Sequence, residues 1–194
     1  KVYTYNQGTV LGASLEIALA LRDDVGLAHD EPIDSFEYSE RADASMFYIT
    51  HIRAIVQAIA LDMATPQGVL LSPPEESLEG DGGLFKGILA RYLAEVAVRL
   101  PEDSKENIAT RKIAARLVMQ SAESLWSHRL EVDGLPVFAA EWTQDAKLPH
   151  NYGLGPSSIS EAVGLVRIDE RDLSVQLSGW MLLEAAAKVA AAQA

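Results

Sequence analysis

Apolar residues recur along the chain in two distinct helical patterns. Residues 8–21 and 84–100 are apolar on almost every side, which is typical of helices that are buried on most faces. Residues 42–64 and 104–126 carry apolar residues at steps of three and four with charged residues between them, as an amphipathic outer helix does. Residues 173–192 are Ala-rich and again of the buried kind. The predicted order is therefore buried, amphipathic, buried, amphipathic, buried.

Polar and turn-forming residues mark the ends of these segments. Pro66 and Gly68 end the second helix, and Asp103 with Glu106 is spaced like a capping box for the fourth. Residues 22–38, 65–83, 127–140 and 145–160 are rich in Gly, Pro, Asp and Ser and are predicted loops. Short apolar runs at 135–138 and 165–168 are predicted as small strands or extended loop.

Two of the buried segments match each other at an offset of 79 positions, with Gly8 placed on Gly87. Both copies have a polar residue and glycine, an apolar turn, and then Glu, a β-branched residue, Ala and Leu. Together with the alternating order, this predicts a repeat of helix hairpins and an all-α fold. Alternating inner and outer helices are typical of an α/α toroid, in which stacked repeats bury their faces on neighbours. Such a ring closes with about six hairpins, of which this chain would supply about two and a half. We therefore expect apolar flanks that another copy or another chain covers.

Composition narrows the functional classes. The 194 residues suit one domain, and a hydrophobic share of 48% is enough for a core. A net charge of −12 counts against nucleic-acid binding, and the absence of cysteine removes thiol catalysis and cysteine metal sites. The four histidines show no ligand spacing, so we expect neither a metal nor a cofactor. No stretch approaches the roughly 20 apolar residues of a membrane span.

The starts of the buried helices carry the candidate chemistry. In a toroid, the N-terminal ends of the inner helices converge at one opening, which we call the mouth. Amide, carboxylate, ammonium and aromatic groups there suit a polyhydroxylated ligand such as a sugar. The alternative is that these residues are helix caps and turn residues. The candidates are Tyr5, Asn6, Gln7, Asp81, Phe85, Lys86 and Gln176.

Two of these segments resemble motifs of glycoside hydrolase family 76, the endo-α-1,6-mannanases and related transglycosylating enzymes. They are the run at 3–13, which contains Tyr-Asn-Gln-Gly, and the run at 80–94, which contains Phe-Lys-Gly-Ile and then Arg-Tyr-Leu. Glu141-Trp142-Thr143 resembles the family's Trp-containing segment, and Trp142, with Tyr152, is a candidate sugar platform. Family members have the first two motifs in this order and at similar separation, whereas residues 127–194 match weakly.

The resemblance implies a partial (α/α)6 toroid, with residues 1–194 as the C-terminal part of one glycoside hydrolase domain. It also implies retaining hydrolysis of α-1,6-linked mannan without a metal, and an extracellular or cell-envelope location. In the family, the nucleophile and the acid/base are two adjacent aspartates upstream of the Tyr-Asn-Gln-Gly segment. We therefore expect no catalytic residue in this chain, and we expect the missing N-terminal half or a second copy as a partner.

Other acidic pairs are expected to be solvated. The only adjacent aspartates, Asp23 and Asp24, are predicted to lie in a loop far from the mouth. Glu75 and Glu76 lie in a Pro-rich loop near Asp81, from which they could reach the mouth, but a solvent-exposed loop is the favoured interpretation.

Two other functions remain open at this point. One is a different α/α-toroid carbohydrate enzyme, of the epimerase or unsaturated glucuronyl hydrolase type, although such enzymes more usually have histidines at the mouth. The other is a non-catalytic helical module that binds a protein or a glycan. Such a module is a stable monomer, whereas a half-barrel should associate through its exposed flanks.

Overall fold

The computed structural model describes residues 2–27, 36–78, 80–147 and 172–194. The main helices in these ranges are α1 (Thr4–Leu27), α2 (Phe36–Asp62), α3 (Phe85–Arg99), α4 (Lys105–Ser127) and α5 (Leu173–Gln193). A short 3-10 helix, Gly80–Leu84, leads into α3, and strands β1 (Leu130–Val132) and β2 (Leu135–Val137) follow α4. The possible strand at 165–168 and the candidate platform residue Tyr152 lie outside the described residues.

The helices alternate between an inner and an outer layer. α1 packs against α2 and α3, α3 packs against α4 and α5, and the outer helices α2 and α4 contact each other. Tyr5 contacts Phe85 near the N-terminal ends of α1 and α3, and Glu16 pairs with Arg99 further along both helices. The inner helices α1 and α3 therefore run in the same direction. The predicted all-α fold, a partial toroid of alternating inner and outer helices, is confirmed.

Two glycines bring the inner helices into close contact. A Cβ added at Gly8 would lie 2.9 Å from the Cα of Leu89 on α3, and one at Gly87 would lie 2.7 Å from the Cα of Ser178 on α5. The amide of Gly87 also donates to Ser178 Oγ at 2.9 Å. The two matching glycines of the sequence therefore occupy equivalent positions, because each lets the next inner helix approach without an intervening side chain.

The first helices are longer than the sequence predicted. α1 begins at Thr4 and continues to Leu27, so residues 5–7 lie in its first turns and positions 23 and 24 lie within the helix. The predicted loop at 22–38 is thus wrong for 22–27 and 36–38. The physical reason is that no glycine or proline interrupts residues 13–25 or 33–65.

A polar network joins the outer helices. Ser104, and not Asp103, is the N-cap of α4, since its side chain accepts from the amide of Asn107 at 3.1 Å. Asp103 instead accepts from Asn107 Nδ2 at 2.8 Å and from Arg22 at 2.6 Å. From α2, Arg53 donates to Asn107 Oδ1 and to Ser104 Oγ at 2.7 and 3.0 Å. The predicted cap is therefore off by one residue, and the carboxylate ties α1 to α4.

One stretch of α2, Ser39–Asp62, has the length and hydropathy of a membrane span, which the sequence analysis did not expect. Mostly buried core helices of water-soluble proteins pass the same test, whereas only 28% of the most apolar window of this stretch is buried in the structure. Here α2 buries Ile49, Ile52, Val56 and Ile59. It also contacts α1 and α4. In this structure it is an outer helix of the arc.

A β-hairpin follows α4. β1 and β2 are antiparallel, and Asp133 and Gly134 form the turn with φ of 52° and 77°. Positive φ at both residues is typical of a tight hairpin turn with Asp-Gly. The apolar run at 135–138 thus contains a strand as predicted, and it delivers Phe138, which is fully buried against Gly179 of α5.

The arc leaves apolar side chains exposed at both ends. On α1, Val10 and Ile17 are 43% and 41% exposed. On α5, Leu173, Leu177 and Trp180 are 79%, 46% and 51% exposed. The expected uncovered flanks are therefore present on the two terminal inner helices.

The glycine contact between α3 and α5 makes a testable prediction. Gly87→Ala should lower the free energy of unfolding by about 1–3 kcal/mol through overpacking, although alanine alone would favour the helix by about 1 kcal/mol. Urea unfolding measures the change. The control Arg91→Ala, at an exposed site on the same helix, should stay within about 0.5 kcal/mol of the unmodified chain. A Gly87→Ala variant that is as stable as the unmodified chain would contradict the close approach.

Candidate functional site

The N-terminal ends of α3 and α5 are joined by side-chain hydrogen bonds. Asp172 is the N-cap of α5 and accepts from the amide of Ser174 at 3.0 Å. Its other carboxylate oxygen accepts from the amide of Gly80 at 3.1 Å, and Ser174 Oγ donates to the carbonyl of Gly80 at 2.5 Å. The segment that leads into α3 is thus held on the first turn of α5.

The N-terminal end of α1 is held by a carboxylate from the loop between α2 and α3. Glu76 Oε2 accepts from the backbone amide of Thr4 at 2.7 Å, and the Thr4 hydroxyl lies 2.9 and 3.0 Å from the two carboxylate oxygens. Glu76 is only 6% exposed, so the prediction that it is solvated is wrong, whereas Glu75 is exposed as predicted. The local sequence does not show that Glu76 is a helix cap, because the amide that it accepts from belongs to Thr4, 72 residues earlier in the chain.

Three aromatic rings form a cluster at the N-terminal ends of α1 and α3. The centroids of Tyr5 and Phe85 are 4.4 Å apart, and Tyr3 lies 6.1 Å from each of them. All three residues are half-buried. The cluster therefore presents partly exposed ring surface where α1 and α3 begin, and Tyr3 is a member that the sequence analysis did not single out.

Lys86 is buried beside this cluster, in the first turn of α3. Its Nζ lies 3.2 Å from Glu141 Oε2 and 4.9 Å from the centroid of the Trp142 ring. Burial lowers the pKa of Lys86, while the charge and hydrogen bond of Glu141 and the charge of Glu76 oppose this shift. Burial likewise raises the pKa of Glu76, against the hydrogen bonds from Thr4 and the charge of Lys86. The buried amine of Lys86 is thus bonded to one carboxylate, Glu141, and is influenced by the charge of a second, Glu76.

Two predicted ligand-binding residues have structural roles instead. Trp142 is 1% exposed, so it is not an accessible sugar platform; its ring lies under the Lys86 ammonium, and its carbonyl accepts from Ser124 Oγ. The Gln176 amide pairs with the backbone of Phe138, accepting at 3.1 Å and donating at 2.9 Å. Both residues fix the 138–142 loop to the helices around it.

The remaining predicted residues lie at the rim. Asn6 and Gln7 are half-buried in the first turns of α1, and Asp81 is exposed on the 3-10 segment. The structure therefore brings Tyr5, Phe85 and Lys86 together, with Asn6 and Gln7 on the same helix end. In the structure, the helix ends of the mouth and the side chains packed against them are residues 3–7, 76, 80–86, 141–142 and 172–176.

A cavity of about 190 Å³ lies at the opposite end of the arc, where α3 and α5 finish. It is lined by Ala97, Val98, Glu102, Ile108, Arg111, Lys112, Val189, Ala192 and Gln193. Arg111 donates there to the carbonyls of Ala97 and Leu100 and so serves the C-terminal end of α3. Within the described ranges, no group of three or more His, Asp or Glu side chains is placed to hold a metal ion.

Solved structures resemble this fold. The GH76A α-1,6-mannanase from Salegentibacter sp. HEL1_6 superposes with a TM-score of 0.58 and 27% identity, over 97% of this chain and 40% of that chain. Inactive variants of that enzyme, each with two aspartates replaced, match at 26% identity in complexes with α-1,6-mannotriose and α-1,6-mannotetrose, with TM-scores of 0.58 and 0.57. The resemblance to glycoside hydrolase family 76 is confirmed. No family model and no curated protein matches the chain.

The chain spans about 40% of the length of these mannanases. Their resemblance to this chain supports a glycoside hydrolase-like fold. The inner and outer helices described above correspond to part of that fold.

The buried carboxyl of Glu76 predicts a specific pH dependence. Because burial raises its folded-state pKa above the ordinary value of 4.5, the contribution of Glu76 to the free energy of unfolding falls as the pH rises through and above 4.5. Glu76→Gln removes the titration, so the stability of this variant relative to the unmodified chain should increase as the pH rises. Urea unfolding of both proteins across this pH range measures the difference.

Glu75→Gln, at the exposed neighbouring position, is the matched control and should show no such trend. If the difference between the Glu76→Gln variant and the unmodified chain moved the opposite way with pH, the hydrogen bonds from Thr4 would outweigh burial, and the assigned direction would be wrong.

Proposed function

We propose that this chain is the C-terminal, substrate-binding part of a single (α/α)6 glycoside hydrolase domain that acts on α-1,6-linked mannan or related mannosides. The observation that carries the proposal is the mouth itself, in an arc that superposes on an α-1,6-mannanase over 97% of its residues. Partly exposed rings and the N-terminal ends of two inner helices meet there.

The chemistry of the mouth suits a pyranose chain. Half-exposed aromatic rings stack on the C–H face of a sugar, while amide and carboxylate groups bind its hydroxyl groups. Tyr3, Tyr5 and Phe85 supply the rings. Asn6 and Gln7, which are half-buried in the first turns of α1, would supply the amides. In this proposal Asp81 borders the same site from the exposed rim.

The catalytic carboxylates would come from residues outside this chain. A retaining glycosidase needs a nucleophile and an acid/base that are about 5–5.5 Å apart at the scissile bond. Asp23 and Asp24 lie within α1. At the rise of an α-helix, they are about 27 Å from Tyr5 along the helix axis. We therefore assign them no catalytic role, and the exposed flanks of α1 and α5 would be covered by the rest of the ring.

Titration calorimetry with α-1,6-mannotriose tests the proposal, with a β-1,4-linked glucose trisaccharide as the comparison ligand. The proposal expects binding of the mannotriose and much weaker binding of the β-linked sugar. Equal binding of both, or binding of neither by the folded chain, would refute it. Cleavage of α-1,6-mannan is expected only from a form of the protein that also carries the adjacent aspartates.

A mutation in the ring cluster makes this sharper. Tyr5→Leu should weaken α-1,6-mannotriose binding about five- to tenfold, because the loss of stacking removes about 1 kcal/mol or slightly more. Phe47→Leu is the matched control, since Phe47 is an aromatic residue with 64% exposure on the outer helix α2, two residues from Ser45, which donates to the carbonyl of Ala18 well along α1 from Tyr5. An unchanged dissociation constant for Tyr5→Leu, measured by the same calorimetry, would remove the aromatic cluster from the site.

A further inference from the structure

The carboxylate of Glu141 differs from its partners in exposure. The Glu141 side chain is 24% exposed, whereas the Lys86 side chain to which it is bonded is 3% exposed. The ion pair thus has one buried and one accessible member. The accessible member is the anion, and its partner Lys86 lies in the first turn of α3, next to Phe85 in the sequence.

Several contacts hold the Glu141 backbone and side chain in place. The neighbouring Trp142 is buried, lies beneath the Lys86 ammonium, and is tied by its carbonyl to Ser124 of α4. Phe138, at the other side, is paired through its backbone with Gln176 of α5. A glutamate on such a loop loses little further freedom when it binds a ligand, which favours binding.

Glu141 also has an acceptor left over. Its Oε2 accepts from Lys86 Nζ, and its Oε1 has no hydrogen bond from any side chain or amide of the described residues. An ionised carboxylate has about four acceptor positions, and hydrogen bonds to a charged acceptor are among the stronger ones. The arrangement therefore offers a fixed, partly solvated anion that can accept hydroxyl protons.

We propose that Glu141 is a ligand-binding residue of the mouth, which accepts hydrogen bonds from neighbouring hydroxyl groups of a bound pyranose, and that Lys86 is its positioning residue. This inference rests on the proposed function, because it takes the ligand of the mouth to be a sugar. It explains why a lysine is buried at the start of a helix, where the helix dipole opposes a cation. In this arrangement Lys86 holds one carboxylate oxygen of Glu141, and the hydroxyl groups of the sugar donate to the remaining acceptor positions.

Replacement of Glu141 tests the inference. Glu141→Gln keeps the size of the side chain but removes its charge, and should weaken α-1,6-mannotriose binding about tenfold to hundredfold. Glu131→Gln, at an exposed position on β1, is the matched control and should bind as the unmodified chain does. Thermal melting of each variant verifies that the protein titrated is folded.

A double-mutant cycle tests the role of Lys86. Lys86→Met should weaken binding in the unmodified chain but have little further effect in the Glu141→Gln background, since a positioning residue acts only through its partner. Equal effects of Lys86→Met in both backgrounds would show that Lys86 has only a structural role, and would overturn that part of the inference.

The outcomes separate the inference from the proposed function. If the unmodified chain binds α-1,6-mannotriose and Glu141→Gln binds it equally well, the inference is wrong while the proposed function stands. If the folded, unmodified chain binds no α-1,6-mannotriose, the proposed function fails, and the inference fails with it.

Discussion

The close approach of the inner helices at two glycines determines where the candidate functional side chains lie. Gly8 rests on the backbone of α3 at Leu89, and Gly87 rests on the backbone of α5 at Ser178. Larger side chains at these positions would separate the helices, because interaxial distances depend on the residues at the contact. With the backbones in contact, the ring of Tyr5 reaches Phe85, and the N-terminal ends of α3 and α5 share the Asp172 carboxylate.

The second constraint is the buried charge beneath the mouth. A lysine in the first turn of a helix is opposed by the helix dipole, and its burial costs several kcal/mol unless anions compensate. Lys86 has that compensation from Glu141 at 3.2 Å and from the nearby charge of Glu76, with the Trp142 ring beside it. Each carboxylate has a second property. Glu76 accepts a hydrogen bond from the amide of Thr4, the first residue of α1, and Glu141 is partly exposed to solvent. A buried lysine in the first turn of a helix is unfavourable by itself, and it occurs here where the inner helices, the 138–142 loop and the ring cluster meet. Such locally unfavourable choices are typical of functional sites.

Sequence periodicity was enough to predict the helices and their alternation, because burial on one face or on all faces is visible in consecutive residues. The match of the segments around Gly8 and Gly87 predicted the repeat, because both segments can be compared residue by residue along the chain. The extent of α1 and the identity of the α4 cap were missed, since Ser104 and Asp103 are equally good caps in a sequence. The roles of Glu76, Glu141 and Trp142 were also missed. Each depends on a partner at least 18 residues away, and no local pattern encodes such a contact.

Chemical-shift mapping by NMR tests most directly whether the mouth binds the sugar. α-1,6-Mannotriose would be added to the isotopically labelled chain while the backbone amides are followed. The account predicts shifts that are concentrated at residues 3–7, 80–86 and 138–142 and that saturate together. Shifts confined to the cavity at the other end, which contains Val98, Arg111 and Val189, or no shifts in the folded chain, would contradict it.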